Sequence, residues 1–184
     1  MTSTQSKSPV QLAPGWNAMF VTDWAGNYVD ATGSSGQISN DADRELFLRL
    51  RKSADAIVTT GATVRNEKYT KVSYAPIYIL SASGDVSNTQ LGTVLHFAPP
   101  IFDELTERLK IDGHKIFFYE GGPQLLKHIE QTSQPATLWL TIVGEEPSEA
   151  DPKKVQQALG FSDAWQLEAT EPVGKNLLTR WRKC

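Results

Sequence analysis

The stretch that decides the fold is residues 54–65, which read ADAIVTTGATVR. Residues 56–58 are a short apolar run, which is typical of a strand buried on both faces of a sheet. Gly61 ends this run, and a short helix is predicted to begin near Ala62. A strand that passes into a helix is the repeating unit of a parallel sheet, because parallel strands need a long crossover connection.

The same unit recurs at residues 115–126, which read KIFFYEGGPQLL. The predicted strand covers residues 115–119, and Pro123 suits the first position of the helix that follows. A second helix is predicted to begin at Asn40 or Asp41. A third is predicted over residues 102–109. Further strands are predicted over residues 17–23, 77–80, 93–97 and 138–143, and the first of them is followed by a candidate short strand at 28–31. Residues 145–151 are predicted to form an acidic loop. Residues 165–170 and 177–182 are predicted to pair as a hairpin.

This alternation predicts an α/β fold: a mixed, mostly parallel sheet with helices on both faces and a C-terminal β-hairpin. The length of 184 residues fits one domain. Residues 1–15 are predicted to be a flexible lead-in, and residues 16–184 a single domain. Residues 177–181 are expected to leave apolar side chains partly exposed at a sheet edge, which favours a homodimer.

Composition excludes several classes of protein. The single cysteine excludes an internal disulfide framework and a cysteine-rich zinc site. The net charge of -3 gives no broad basic surface for nucleic acid. No apolar run approaches the roughly 20 residues that span a membrane, and the N-terminal stretch lacks the apolar core of a secretory signal. We therefore expect a cytoplasmic protein with a small-molecule partner.

Three predicted strand ends carry small residues: 59–63, 81–84 and 120–123. In open α/β sheets, ligands bind beyond the carboxyl ends of the strands. Glycines let a phosphate approach the backbone, and free N–H groups at a helix start attract it, so two such turns could hold one pyrophosphate. The alternative is that these are ordinary turns, since glycine supplies positive φ anywhere. Neither turn has the dinucleotide fingerprint GxGxxG.

The usual catalytic patterns are absent. His96, His114 and His128 are widely separated, so ligand-like spacing for a metal is missing. No serine nucleophile elbow occurs. We assign no catalytic residue and no metal from these patterns.

Two ordered series of motifs stand out. The first is SGQIS at 35–39, ADR at 42–44, LR at 50–51, ADAIV at 54–58 and GATVR at 61–65, and the second is FYEGGPQLL at 118–126. Together they resemble the reductase domain of bacterial riboflavin biosynthesis, and in particular its stand-alone pyrimidine reductase-like proteins. The resemblance covers roughly residues 16–143.

The resemblance implies a dihydrofolate reductase-like fold, a homodimer and NADPH as cofactor. The family's reaction reduces the ribose of 5-amino-6-ribosylaminouracil 5′-phosphate by hydride transfer to the opened sugar. It implies substrate contacts at Ser35, Arg44 and Glu120. The cofactor residues that it implies, with Arg65 added as a partner for a 2′-phosphate, are Gly61, Ala62, Thr63, Arg65, Glu67, Ser81, Ala82, Ser83, Gly121, Gly122 and Pro123.

The sequence departs from the family pattern at three places. Ala25 precedes Gly26 where the family usually has Asp, Gln37 follows the substrate serine where it often has Trp, and Ala136-Thr137 precede Leu138 where it usually has Asp-Glu. These departures lie partly on the substrate side. Two alternatives to the pyrimidine reductase therefore stay open: a diverged, non-catalytic dimeric nucleotide-binding module, and a dihydrofolate or pterin reductase. For Glu120, the alternative to a substrate contact is a cap on the helix that follows.

Overall fold

The computed structural model of the chain describes residues 10–31, 33–67, 69–83, 90–96, 101–144, 146 and 150–184. Its eight strands form one sheet in the order β4-β3-β2-β5-β1-β6-β8-β7. The strands are β1 (Gly15–Asp23), β2 (Ala56–Thr60), β3 (Ile77–Ser81), β4 (Thr93–His96), β5 (Ile116–Tyr119), β6 (Ala136–Val143), β7 (Trp165–Val173) and β8 (Asn176–Lys183). Strands β1 to β6 pair in parallel, and β8 pairs antiparallel with both β6 and β7. The predicted mixed, mostly parallel sheet with a terminal hairpin is confirmed.

The helices lie on both faces of this sheet. They are α1 (Asp41–Lys52), α2 (Gly61–Asn66), α3 (Ile101–Ile111), α4 (Leu126–Gln131), which follows a 3-10 turn at Pro123–Leu125, and α5 (Pro152–Ala158). Phe102 of α3 packs in one cluster with Trp16 of β1. Leu50 of α1 packs in another cluster with Met19 of β1. Because successive strand residues point to opposite faces, Trp16 and Met19 define the two layers.

Helix α1 begins where the sequence predicts it. The Asn40 side chain accepts a hydrogen bond from the Asp43 backbone N–H at 3.2 Å. The same side chain exchanges two hydrogen bonds with Asn176 at the start of β8, at 2.7 and 2.9 Å. The cap therefore also fixes the helix against the far end of the chain.

Two local expectations were wrong. Residues 28–31 form no strand. Helix α5 was missed, although its start carries the usual signals: Asp151 accepts hydrogen bonds from the backbone N–H groups of Lys153 and Lys154, and Pro152 occupies the first turn. The predicted acidic loop at 145–151 and the end of the predicted strand 93–97 lie largely outside the described residues.

The expectation that residues 177–181 leave apolar side chains partly exposed at a sheet edge was also wrong. Strand β8 lies inside the sheet, between β6 and β7, rather than at its edge. Leu177, Leu178 and Trp181 are consequently buried within the chain itself. A homodimer stays a prediction that rests on the family resemblance.

The predicted lead-in, residues 1–15, is described only from Val10 onward. Val10 and Leu12 pack against the cluster around Met19 and Leu50. None of the helices within the described ranges has the length and apolar character required to cross a bilayer.

Candidate functional site

A cleft of about 930 Å³ opens beyond the carboxyl ends of β2, β3 and β5. All fourteen residues predicted to contact substrate or cofactor line it; their contacts with ligands stay predictions. The lining also includes residues that the sequence did not single out, among them Asp43, Arg51 and Tyr69.

The first turn is built by Thr60, the last residue of β2. Its hydroxyl oxygen accepts a hydrogen bond from the Thr63 backbone N–H at 3.1 Å and lies 3.0 Å from the Thr63 hydroxyl. This side chain caps α2 and holds Gly61 and Ala62 at the cleft. The predicted strand-to-helix turn is therefore present, with the Thr63 hydroxyl already engaged in the cap.

The second turn needs glycine at two positions for two different reasons. A Cβ at Gly121 would lie 2.6 Å from the Thr60 methyl carbon and 2.7 Å from the Tyr119 hydroxyl. Gly122 has a φ of +84°, a conformation that favours glycine, and apart from its chain neighbours no atom of the described residues lies within 4 Å of the position a Cβ would take. Its carbonyl accepts a hydrogen bond from the Tyr119 hydroxyl at 2.9 Å.

The two glycine turns lie side by side. The matched strand-to-helix settings of Gly61 and Gly122 predict that these residues lie at opposite sides of one cleft. Both do line one cleft, but the prediction that they lie on opposite sides of it was wrong. Strand β2 pairs directly with β5, so the turns that follow these strands are neighbours. Gly121 is in fact close packed against Thr60.

The third strand end and Arg65 complete this part of the cleft. The hydroxyl oxygens of Ser81 and Ser83 lie 3.4 Å apart at the end of β3. Arg65 is exposed, and a Cβ at Gly61 would lie 3.3 Å from one of its terminal nitrogens. A guanidinium beside a glycine turn can pair with a phosphate group.

Glu67 fastens the loop that carries Ser35. One Glu67 oxygen accepts hydrogen bonds from the Ser35 backbone N–H at 2.7 Å and from its hydroxyl at 3.1 Å. The other oxygen accepts from the Ser34 hydroxyl at 3.1 Å. Beside it, the Asn66 side chain donates to the Gly33 carbonyl at 3.1 Å. Residues 33–36 are thus tied to α2 at the cleft.

We expect Glu67→Ala to release this loop. Hydrogen bonds to a charged group contribute roughly 1.5–3 kcal/mol each, so amide exchange over residues 33–36 should rise by about tenfold or more. Glu45→Ala is the matched control, because Glu45 is exposed on α1 and does not line the cleft. Unchanged exchange in Glu67→Ala, measured by mass spectrometry, would show that the carboxylate does not hold the loop.

Glu120 is paired with Arg51 rather than capping a helix. The Arg51 Nε donates to the two Glu120 oxygens at 3.1 and 3.0 Å, and both side chains are buried. No side chain caps the 3-10 turn or α4, so the capping alternative was wrong. Burial raises the pKa of Glu120 to about 7 even though the Arg51 guanidinium acts to lower it.

Asp43 is one of the cleft residues to which the sequence analysis assigns no role. It is 5% exposed, and one of its oxygens accepts a hydrogen bond from the Ser39 hydroxyl at 2.6 Å. The other oxygen, Oδ1, is buried and has no hydrogen-bond partner among the residues that the structure describes. Burial raises the pKa of Asp43, against the lowering influence of Ser39 and Thr141. An acid in the first turn of a helix is common for purely structural reasons, which hides this signal in the sequence.

Arg44 follows Asp43 at the mouth of the same cleft. Its side chain is exposed, and its guanidinium makes no ion pair within the described ranges. The cleft lining also includes the side chains of Tyr28, Val29, Phe47 and Leu48. The cleft therefore combines apolar side chains with a buried acid and an exposed cation.

The architecture and this cleft define a dihydrofolate reductase-like fold. No protein-family model matches the sequence, and no curated protein matches it. A pyrimidine reductase-like protein from Corynebacterium diphtheriae is similar in structure, with a TM-score of 0.69, 18% identity, and 93% of this chain and 92% of that chain covered.

Two further structures show the same fold. A diaminohydroxyphosphoribosylaminopyrimidine deaminase/5-amino-6-(5-phosphoribosylamino)uracil reductase from Thermotoga maritima has a TM-score of 0.60 and 11% identity, over 93% of this chain and 57% of that chain. Dihydrofolate reductase from Schistosoma mansoni has a TM-score of 0.63 and 15% identity, over 92% of this chain and 98% of that chain. At these identities the likeness establishes the fold alone.

Proposed function

We propose that this protein is an NADPH-dependent reductase whose substrate is a ribosylaminopyrimidine such as 5-amino-6-(5-phosphoribosylamino)uracil. One observation carries the proposal: two adjacent glycine turns share a single cleft with an exposed arginine and two buried carboxyl groups. Its neighbours in structure include reductases of pyrimidine and folate substrates.

The turn side of the cleft suits a phosphate-bearing cofactor. Gly121 has no room for a side chain, and the Gly122 backbone faces open space, so a phosphate can approach closely. Arg65 and Ser83 add a cation and a hydroxyl at the same cleft. NADPH bound here would supply the hydride.

The substrate side would hold and protonate the acceptor. A hydride added to a carbon leaves negative charge on the neighbouring oxygen or nitrogen, which then needs a proton. Asp43 in its protonated form can give that proton through Oδ1, the oxygen for which the described residues provide no hydrogen-bond partner. Arg44 would bind the substrate phosphate at the exposed mouth, and Glu120 would accept a hydrogen bond from a ring N–H.

NADPH binding is expected to exceed NADH binding through Arg65. A charge-assisted hydrogen bond to the 2′-phosphate contributes roughly 1.5–3 kcal/mol, so Arg65→Ala should weaken NADPH about ten- to a hundredfold and leave NADH almost unchanged. Cofactor fluorescence measures both affinities. Arg49→Ala, an exposed arginine of α1 away from the cleft, is the control. Equal losses for the two cofactors would contradict the assignment of Arg65.

The second candidate function is reduction of a pterin such as dihydrofolate, and Asp43 is the observation that favours it. A buried carboxyl group against an apolar wall suits a flat ring that presents N–H groups and accepts a proton at a ring nitrogen. NADPH oxidation with each substrate in turn separates the two functions. Tight NADPH binding with turnover of neither substrate would support the non-catalytic nucleotide-binding alternative.

A further inference from the structure

Arg51 joins three separate parts of the chain below the cleft. It comes from the last turn of α1, and its Nε donates to Glu120 at the end of β5. One terminal nitrogen donates to the Tyr74 hydroxyl at 3.1 Å, and the other donates to the Tyr69 hydroxyl. Its guanidinium carbon also lies 4.8 Å from the centre of the Tyr69 ring. Four contacts thus fix this guanidinium in one orientation.

The hydrogen bonds from Arg51 leave the Glu120 carboxylate able to accept further hydrogen bonds. A fork-to-fork pair uses two N–H groups for two oxygens. Here a single N–H, that of Nε, is shared by both Glu120 oxygens at 3.1 and 3.0 Å. An ionised carboxylate has about four acceptor positions, so Arg51 leaves acceptor positions unused on a residue that lines the cleft.

We propose that Arg51 is a positioning residue: it holds Glu120 ionised and oriented at the floor of the cleft, so that Glu120 accepts a hydrogen bond from an N–H or O–H group of the substrate. This inference rests on the proposed function. It concerns the substrate side of the cleft, because Glu120 immediately precedes the glycine turn that would hold the cofactor.

Arg51 is the charged neighbour that opposes the effect of burial on the pKa of Glu120. Burial raises the pKa of this carboxyl group, and Arg51 is the charged group that lowers it. The phenols of Tyr69 and Tyr74 contact the far side of Arg51, the neighbouring Tyr119 hydroxyl is engaged by Gly122, and Asp43 and Arg44 line the same cleft. Removing the guanidinium leaves burial unopposed, so Glu120 should keep its proton to a higher pH.

Infrared titration of the carboxyl band tests the positioning directly in the full chain. Glu120→Gln identifies the band that belongs to Glu120. We expect Arg51→Met to move the titration of that band upward by at least one pH unit, which is a tenfold gain in proton affinity. Arg51→Lys, which keeps a charge, should restore part of the shift, and the exposed Arg49→Met should leave it unchanged. Circular dichroism confirms that each variant is folded.

Binding of two probes tests the role in substrate recognition. At pH 7.5, Arg51→Met is expected to bind 5-amino-6-(5-phosphoribosylamino)uracil about ten- to a hundredfold more weakly, while NADPH affinity changes less than twofold. In wild-type protein this binding should strengthen as the pH rises through about 7, where Glu120 ionises. The same rise should occur at higher pH in Arg51→Met and be absent in Glu120→Gln.

The outcomes separate this inference from the proposed function. An unchanged Glu120 titration in Arg51→Met overturns the positioning role. Equal loss of both probes in Arg51→Met overturns it as well, because a general structural defect explains that result. Wild-type protein that binds neither probe overturns the proposed function and the recognition role together, whereas the infrared titration still decides whether Arg51 controls Glu120.

Discussion

Asp43→Asn is expected to lower the turnover of the proposed reductase by about 10²- to 10⁴-fold, the range typical of a lost general acid. The asparagine has nearly the same shape, and its side chain can still bond to Ser39, but it has no proton to give. NADPH affinity should hardly change, because the proposal assigns Asp43 to the substrate and the glycine turns to the cofactor. Single-turnover kinetics with each candidate substrate measure the effect on the chemical step.

The turnover that depends on Asp43 should also depend on pH. Burial raises the pKa of Asp43, so its acid form persists to higher pH than that of a free carboxyl group. Turnover should fall as the pH rises through this pKa, and Asp43→Asn should lose that dependence. The same shift makes the native state bind a proton more tightly than the unfolded state, so this group reduces stability as pH rises from its unfolded pKa to its folded pKa. Asp43→Asn should therefore be as stable as wild type at neutral pH, or more stable.

Asp41→Asn is the matched control for Asp43. Asp41 lies in the same first turn of α1, is exposed and does not line the cleft. Its replacement should leave turnover unchanged. If both variants lose turnover equally, helix stability rather than proton donation explains the result, and Asp43 has no catalytic role.

Arg51→Met is expected to lower the free energy of unfolding by about 3–5 kcal/mol at pH 8, since Glu120 must then either stay buried as an unpaired charge or take up a proton on folding. The side chains of Arg51 and Glu120 are 8% and 3% exposed, so solvent screens this ion pair little. For a chain of this length that loss corresponds to a fall in Tm of roughly 6–20 °C. Urea unfolding of wild type and variant measures it.

The loss should shrink at low pH. Because burial raises the pKa of Glu120 to about 7, the carboxyl group is largely neutral at pH 5.5 and needs no cation there. Arg51→Met should thus cost less at pH 5.5 than at pH 8, and adding Glu120→Gln should recover most of the loss at pH 8. Arg180→Met is the control: Arg180 pairs with Glu168 on the surface at 45% exposure, where such pairs contribute at most about 1 kcal/mol. A pH-independent loss would contradict a buried charge as the cause.

The element boundaries were predictable wherever the signal is local. The apolar runs of β2 and β5, the cap at Asn40 and Pro123 at the start of a turn all depend on residues within a few positions of each other. The predicted cleft residues came from the same local units and from the family resemblance. Helix α5 has equally local signals at Asp151 and Pro152, so the sequence also contains enough information to predict this helix.

The sequence by itself determined the strand-to-helix units, their glycine turns and hence the α/β class, because backbone preferences and apolar periodicity act over short separations. The tertiary structure alone decided which turns are neighbours, through the pairing of β2 with β5. It also decided that Arg51 of α1 is buried against a carboxylate 69 positions away. The partner, the burial and therefore the pKa of a side chain depend on segments that only the folded chain brings together.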